Sequence, residues 1–144
     1  MENIEMQPDM QNKKLLHIVQ LAEANEEDGW EEIDSLIKEA SNDSIFIEWA
    51  RKNTKNLSSG LRDLAATIFE ASGIELSLED IALLQDLMND EGYPKFRAAC
   101  ALAKRINVLE ISKMKGSIKS ILESFADDPD VFEIAKKYLN TINI

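Results

Sequence analysis

Few residues of this chain could do nucleophilic or metal chemistry. His17 is its only histidine and Cys100 its only cysteine. Catalysis of the Ser-His-Asp or Cys-His type needs a histidine beside the nucleophile, and zinc sites need several cysteine or histidine ligands. His17 lies among apolar residues of a predicted helix, so we expect a partly buried structural histidine. Cys100 takes a position that holds alanine in two similar segments, which indicates a small packing residue.

Calcium, phosphate-binding and acid–base sites are the other kinds of site to consider. Asp127, Asp128 and Asp130 lack the spacing and glycine of a calcium loop. Helix capping by Asp128 is the simpler explanation for these acids. The five glycines are isolated, so no phosphate-binding loop is expected. Two of the 27 acidic residues could still work as an acid and base pair. We therefore expect no metal, no cofactor and no enzyme, with catalysis as the lesser alternative.

The formal net charge of −11 is concentrated near the start of the sequence, where residues 1–35 carry ten acidic and two basic residues. Such a field attracts basic partners and repels nucleic acid and anionic lipid. Trp30 lies among these acids, as an interface anchor or as a core residue. The acids that point away from the apolar stripe of the second predicted helix form what we call the acidic ridge: Glu27, Asp28, Glu31, Glu32, Asp34 and Glu39. A solvated face that only resists aggregation is the other interpretation.

The elements that must position these residues are predicted to be helices. Three segments recur at a spacing of 35 residues, from Ser58, Tyr93 and Asp128. Apolar residues at offsets 0, +3, +4 and +7 within each segment form one helical face. These positions are Leu61, Leu64, Ala65 and Ile68; Phe96, Ala99, Cys100 and Ala103; Val131, Ile134, Ala135 and Tyr138.

Another apolar helix precedes each recurring one, so the repeated unit is a helical hairpin. One hairpin cannot cover its own apolar face, which predicts that hairpins stack. We expect about eight helices in a single domain, residues 12–144, after a flexible tail, residues 1–11. Within the domain we expect a divergent acidic capping hairpin at 12–41 and repeats at about 44–72, 77–106 and 109–142.

The recurring helices resemble the second helices of HEAT repeats, which carry an arginine followed by alanines. Here these are Arg62 before Ala65, and Arg97 before Ala98, whereas the third segment has Phe132 instead. The resemblance covers about residues 44–142 and implies an all-α, right-handed α-solenoid. The turn aspartate usual in that family is not evident before Arg62, so we expect both arginines to be less restrained. The acidity argues against pentatricopeptide repeats, which bind RNA.

Three functions stay open at this stage. The first is an inhibitor or immunity-type protein that neutralises a basic partner, such as a toxin nuclease, through the acidic ridge. The second is a scaffold that grips a helix or peptide in a concave groove, at residues expected to be exposed: Asp63, Thr67, Glu70, Ala98, Arg105, Glu133 and Lys137. The third is a HEAT-like lyase or glycosylase. We expect no signal peptide, no membrane span and no internal disulfide, so we predict a cytoplasmic protein. We also expect no nucleic-acid or membrane partner, and the oligomeric state stays open.

Overall fold

The computed structural model describes residues 10–143, and every regular element in that range is an α-helix. The predicted all-α class is therefore confirmed. The first helix begins at Met10, two residues before its predicted start, and the rest of the predicted tail lies outside the described residues. The helices are α1 Met10–Ala24, α2 Glu27–Ala40, α3 Ser44–Asn53, α4 Ser59–Ala71, α5 Leu78–Leu87, α6 Gly92–Ala103, α7 Leu109–Ser112, α8 Lys115–Ser124 and α9 Phe132–Ile142.

The helices group into two compact units, Met1–Ile74 with α1 to α4 and Glu75–Ile144 with α5 to α9. We call them unit 1 and unit 2. The predicted single domain and its stacking as a solenoid stay predictions. None of the helices in the described part of the chain is long and apolar enough to cross a bilayer.

In unit 1, α1 packs against both α2 and α4, and α3 packs against α4. Ile18, Ile33 and Phe46 are among its fully buried side chains. The closest approach is at Gly60, the second residue of α4, where an added Cβ would lie 2.0 Å from the carbonyl oxygen of Ala22. Only glycine lets α4 come this close to the last turn of α1, because any side chain would overlap that backbone.

The turn between α3 and α4 is closed by its own polar groups. The Ser58 hydroxyl caps α4 by accepting from the Leu61 N–H at 3.3 Å. Arg62 donates from Nη1 to the carbonyl oxygens of Asn56 at 2.8 Å and Leu57 at 3.2 Å. The expectation that Arg62 is less restrained is therefore wrong, because these carbonyls hold the guanidinium without a turn aspartate.

In unit 2, α6 packs against α5, α8 and α9. α5 starts with the predicted cap, in which Ser77 Oγ accepts from the Asp80 N–H at 3.0 Å and Asp80 Oδ2 accepts from the Ser77 N–H at 3.2 Å. The Phe96 and Phe125 ring centroids lie 4.8 Å apart, a distance typical of paired aromatic rings. These contacts build a core around α6.

Tyr93 joins the start of α6 to the turn before α9. Its hydroxyl lies 3.1 Å from Asp128 Oδ2 and 3.4 Å from Asp130 Oδ2, so it can donate to either carboxylate. Burial and the hydrogen bond to Asp128, with the negative charges of both aspartates, raise the pKa of Tyr93 to about 12. The contact links two residues that are 35 positions apart, the spacing of the predicted repeat.

The predicted first helix of the third repeat is broken in two, as α7 and α8, which is why the described residues hold nine helices and not eight. Ser112 Oγ donates to the Leu109 carbonyl at 2.8 Å, and the Met114 N–H bonds Ile111 O at 2.9 Å, a spacing of three residues. A hydroxyl that competes for a helix carbonyl favours termination, and the tighter turn completes the break.

The predicted apolar faces of the three recurring helices are confirmed. Eleven of the twelve positions are buried, and Ile134 is half-buried. The third helix begins at Phe132 and not beside Asp128, because the Asp128 carboxylate accepts from the Asp130 N–H at 2.8 Å and holds a separate turn first. Burial of the faces agrees with the recurrence, but it does not test the HEAT resemblance.

Candidate acidic docking surface

The turn between α1 and α2 fixes where the acidic ridge begins. Asn25 ends α1 with a φ of 56°, in the left-handed region, and its N–H bonds Leu21 O at 3.1 Å. Asparagine tolerates this conformation better than most residues. α2 then starts at Glu27, and its N-cap residue Glu26 makes no side-chain capping bond.

α2 packs mainly on α1, with fewer contacts to α4. Ile33, Ile37 and Ala40 are buried on one face of α2, between 0% and 3% exposed. A Cβ on Gly29 would lie 3.4 Å from Leu21 O, so the first turn of α2 also runs close to α1. With the apolar stripe held against α1, the opposite face of α2 must carry its charged residues to solvent.

Five members of the acidic ridge have described side chains, and all five are exposed. They are Glu27, Asp28, Glu31, Glu32 and Asp34. The sixth, Glu39, lies within α2, but its side chain is outside the described part of the structure. The predicted exposure of the ridge is therefore confirmed for five of its six positions.

The ridge holds like charges at a modest cost to helix stability. Glu27 with Glu31, and Glu31 with Asp34, are four and three residues apart, and each such pair disfavours a helix by a few tenths of a kcal/mol. Glu27 and Asp28 lie in the first turn, where the helix dipole offsets part of this cost. Lys38, in the last turn, is on the same exposed side, so negative charge is densest over the first two turns.

His17 belongs to this surface, which the sequence analysis did not foresee. Its Nε2 lies 2.7 Å from Glu32 Oε2, and the two side chains are 46% and 51% exposed. The expected partly buried structural histidine is therefore wrong. The pair connects α1 to α2 across the acidic ridge, but a pair this exposed adds about 1 kcal/mol or less to stability.

Trp30 is half-buried, between the two roles considered for it. Its indole Nε1 donates to Asn25 Oδ1 at 2.8 Å, which satisfies its polar atom and fixes the ring beside the turn. An aromatic side chain held in one position loses little conformational entropy on binding. A rigid, partly exposed tryptophan thus flanks the densest part of the acidic ridge.

The row expected to line a groove is less exposed than predicted. Asp63, Thr67 and Ala98 are 6%, 3% and 0% exposed, so the expectation that they face solvent is wrong. The Thr67 hydroxyl lies 2.8 Å from the Asp63 carbonyl oxygen and 3.3 Å from its carboxylate, so it donates mainly to the carbonyl oxygen and stays hydrogen-bonded at this depth. Among the other members, Glu70 and Arg105 are half-buried, and Glu133 and Lys137 are exposed.

The other residues considered for catalysis or metal binding make structural contacts. Cys100 is fully buried, as expected for a packing residue. Asp128 and Asp130 take part in the Tyr93 contact described above. Among the side chains that the structure describes, no three from histidine, cysteine, aspartate or glutamate are grouped so as to hold a metal ion.

Comparisons with known proteins add no assignment. No protein-family model matches the sequence, and neither the curated proteins nor the solved structures give a significant match.

Proposed function

We propose that this chain binds a basic protein partner through the acidic ridge, as an inhibitor or immunity-type protein that neutralises a partner such as a toxin nuclease. The observation that supports the proposal is the exposure of five carboxylates over the first turns of one helix. The apolar stripe of the same helix is buried and the helix packs on α1, so the backbone that carries the carboxylates is held in place.

Charge complementarity favours a basic protein as the partner. An anionic surface repels nucleic acid and anionic lipid, and it accelerates encounter with a cationic protein by about 10- to 1,000-fold at low salt. Trp30, held by Asn25 at 2.8 Å, is suited to anchor the complex once the charges have met. We therefore expect submicromolar binding that weakens steeply as salt is added.

Charge reversal tests the surface. Glu31→Lys with Glu32→Lys reverses two neighbouring ridge charges, and Glu123→Lys with Asp127→Lys makes the same change at exposed positions of unit 2. We expect basic proteins captured by the wild type from a cell lysate at low salt to be lost with the first pair and retained with the second. Thermal melts of both variants control for folding. Equal capture by the wild type and the ridge variant would show that the ridge is not the contact.

The groove alternative has its own variant. Glu133 is an exposed member of the groove set that lies on α9, away from the acidic ridge in sequence and in a different unit. Capture abolished by Glu133→Lys, with the ridge variant unaffected, would replace the ridge by the scaffold function.

We also propose that the hairpins at about 44–72, 77–106 and 109–142 are HEAT-like repeats of a right-handed solenoid in a cytoplasmic protein. The burial of equivalent positions in α4, α6 and α9 supports the repeat. An experimental structure tests it, since equivalent hairpins should then superpose by one repeated rotation and translation. If no common rotation and translation relates the hairpins, the protein is not a solenoid.

A further inference from the structure

Unit 2 contains a cavity of about 310 Å³ at the edge of its helices, within the range of small-molecule sites. It is lined by the end of α6 and the segment that follows, by the junction of α7 and α8, and by the last turn of α9. The polar lining residues are Lys104, Asn107, Ser112, Lys115 and Thr141. This site shares no residue with the acidic ridge.

The electrostatic character of the cavity is opposite to that of the whole chain. Residues 104–119 include five basic residues and one acidic residue, in a protein whose net charge is −11. Lys104 and Lys115 both line the cavity and are exposed, and none of its described lining residues is acidic. Lys115 is also the first residue of α8, whose N-terminal end carries partial positive charge. These features favour an anionic ligand group.

The two hydroxyl groups among the lining residues both donate hydrogen bonds to backbone carbonyls. Ser112 Oγ donates to the Leu109 carbonyl at 2.8 Å, and Thr141 Oγ1 donates to the Lys137 carbonyl at 3.1 Å. Because their protons are directed to the backbone, both oxygens can act towards a ligand only as acceptors. They suit hydroxyl groups on the ligand, while the lysines suit its anionic end.

The remaining wall is apolar. Ile106 and Ile142 complete the lining, so the cavity also offers a surface for carbon atoms. We propose that this cavity binds a small phosphate ester that carries hydroxyl groups, with Lys104 and Lys115 at the phosphate and with Ser112 and Thr141 at the hydroxyls. Asn107 supplies an amide that can donate to the phosphate or accept from a hydroxyl.

Titration of the full chain at low ionic strength tests the site, with amide chemical shifts as the readout. The probes are glycerol 3-phosphate, inorganic phosphate and glycerol. We expect glycerol 3-phosphate to bind most tightly and to shift the amides of residues 104–117 and 141–142, inorganic phosphate to bind more weakly, and glycerol not to bind. No saturable shift with glycerol 3-phosphate would overturn the proposal. Equal affinity for inorganic phosphate would overturn the role of Ser112 and Thr141.

Two double variants separate the site from general charge. Lys104→Gln with Lys115→Gln should weaken glycerol 3-phosphate binding at least about tenfold, since each charge-assisted hydrogen bond is worth about that factor or more. Lys136→Gln with Lys137→Gln removes the same charge from α9 of the same unit at exposed positions outside the cavity lining. This control should bind within about twofold of the wild type. Equal weakening in both variants would show attraction to a basic unit without a specific site.

Discussion

The packing of α4 against α1 gives a quantitative test of unit 1. In Gly60→Ala the new Cβ would lie 2.0 Å from the Ala22 carbonyl oxygen, more than 1 Å inside ordinary contact. The neighbouring atom is backbone, so no side chain can rotate away, and the helices must separate. Overpacking of this kind costs about 1–3 kcal/mol, and more where the backbone cannot adjust.

Gly116→Ala is the matched control. Gly116 is likewise the second residue of its helix, α8, but an added Cβ there meets no atom within 4 Å. Alanine should therefore stabilise that helix by up to about 1 kcal/mol, because glycine is the poorer helix former. The two substitutions are chemically identical and should have opposite signs.

The assay is thermal or urea unfolding followed by two probes. Both tryptophans, Trp30 and Trp49, lie in unit 1, so their fluorescence reports on that unit, whereas far-ultraviolet circular dichroism reports on all helices. We expect Gly60→Ala to lower the fluorescence midpoint by about 2–12 °C, from a cost of about 1–3 kcal/mol at about 2–4 °C per kcal/mol for a chain of this size. A Gly60→Ala midpoint equal to or above that of the wild type would refute the packing of α4 on α1.

Two further predictions concern unit 2. Because the pKa of Tyr93 is about 12 in the folded chain and 10.0 for an ordinary tyrosine, its contribution to stability is complete below pH 10 and is lost as the pH rises towards 12. Tyr93→Phe should thus lower the free energy of unfolding by about 1 kcal/mol at pH 8 and by less near pH 12, and a deficit independent of pH would contradict the contact with Asp128. Ser77→Ala should cost about 1 kcal/mol through loss of the α5 cap, whereas Ser120→Ala, at an exposed position within α8, should be neutral or slightly stabilising. Equal urea midpoints for these two serine variants would contradict the capping box.

The sequence predicted features that depend on local pattern. Apolar positions at offsets 0, +3, +4 and +7 identified the buried faces of α4, α6 and α9, because a helix brings those offsets to one side. The Ser77 cap was also predictable, since Ser77 and Asp80 are only three residues apart. The exposure of the acidic ridge followed from the same helical geometry.

Features that depend on tertiary contact or on competing hydrogen bonds were not predicted. His17 meets Glu32 across a helix pair, 15 residues away, so no local pattern predicts the contact. Asp63 and Thr67 were interpreted as a solvent-facing row, yet both are buried, and the Thr67 hydroxyl donates to the backbone carbonyl of Asp63 four residues earlier. The break between α7 and α8 coincides with the Ser112 hydroxyl bond and the tight turn at Met114, which no apolar pattern predicts.

The cavity of unit 2 could be suspected only in part from the sequence. The excess of basic residues between 104 and 119 was visible, but the same charges could have been spread over a solvated surface. The fold brings Thr141 of α9 beside Ser112 and Lys115, which are more than 25 residues earlier. This proximity depends on how α9 packs on α8 and not on any spacing in the sequence.

The salt dependence of the association rate tests the proposed role of the acidic ridge most directly. Rate constants for binding the captured basic partner would be measured for the wild type and for Glu31→Lys with Glu32→Lys, from about 0.01 M to 1 M salt, as screening lengths shorten from about 30 Å to 3 Å. The account predicts at least tenfold slower association for the variant at low salt, and rates that converge at high salt. Wild-type rates that are independent of salt, or equal to those of the variant throughout, would contradict it.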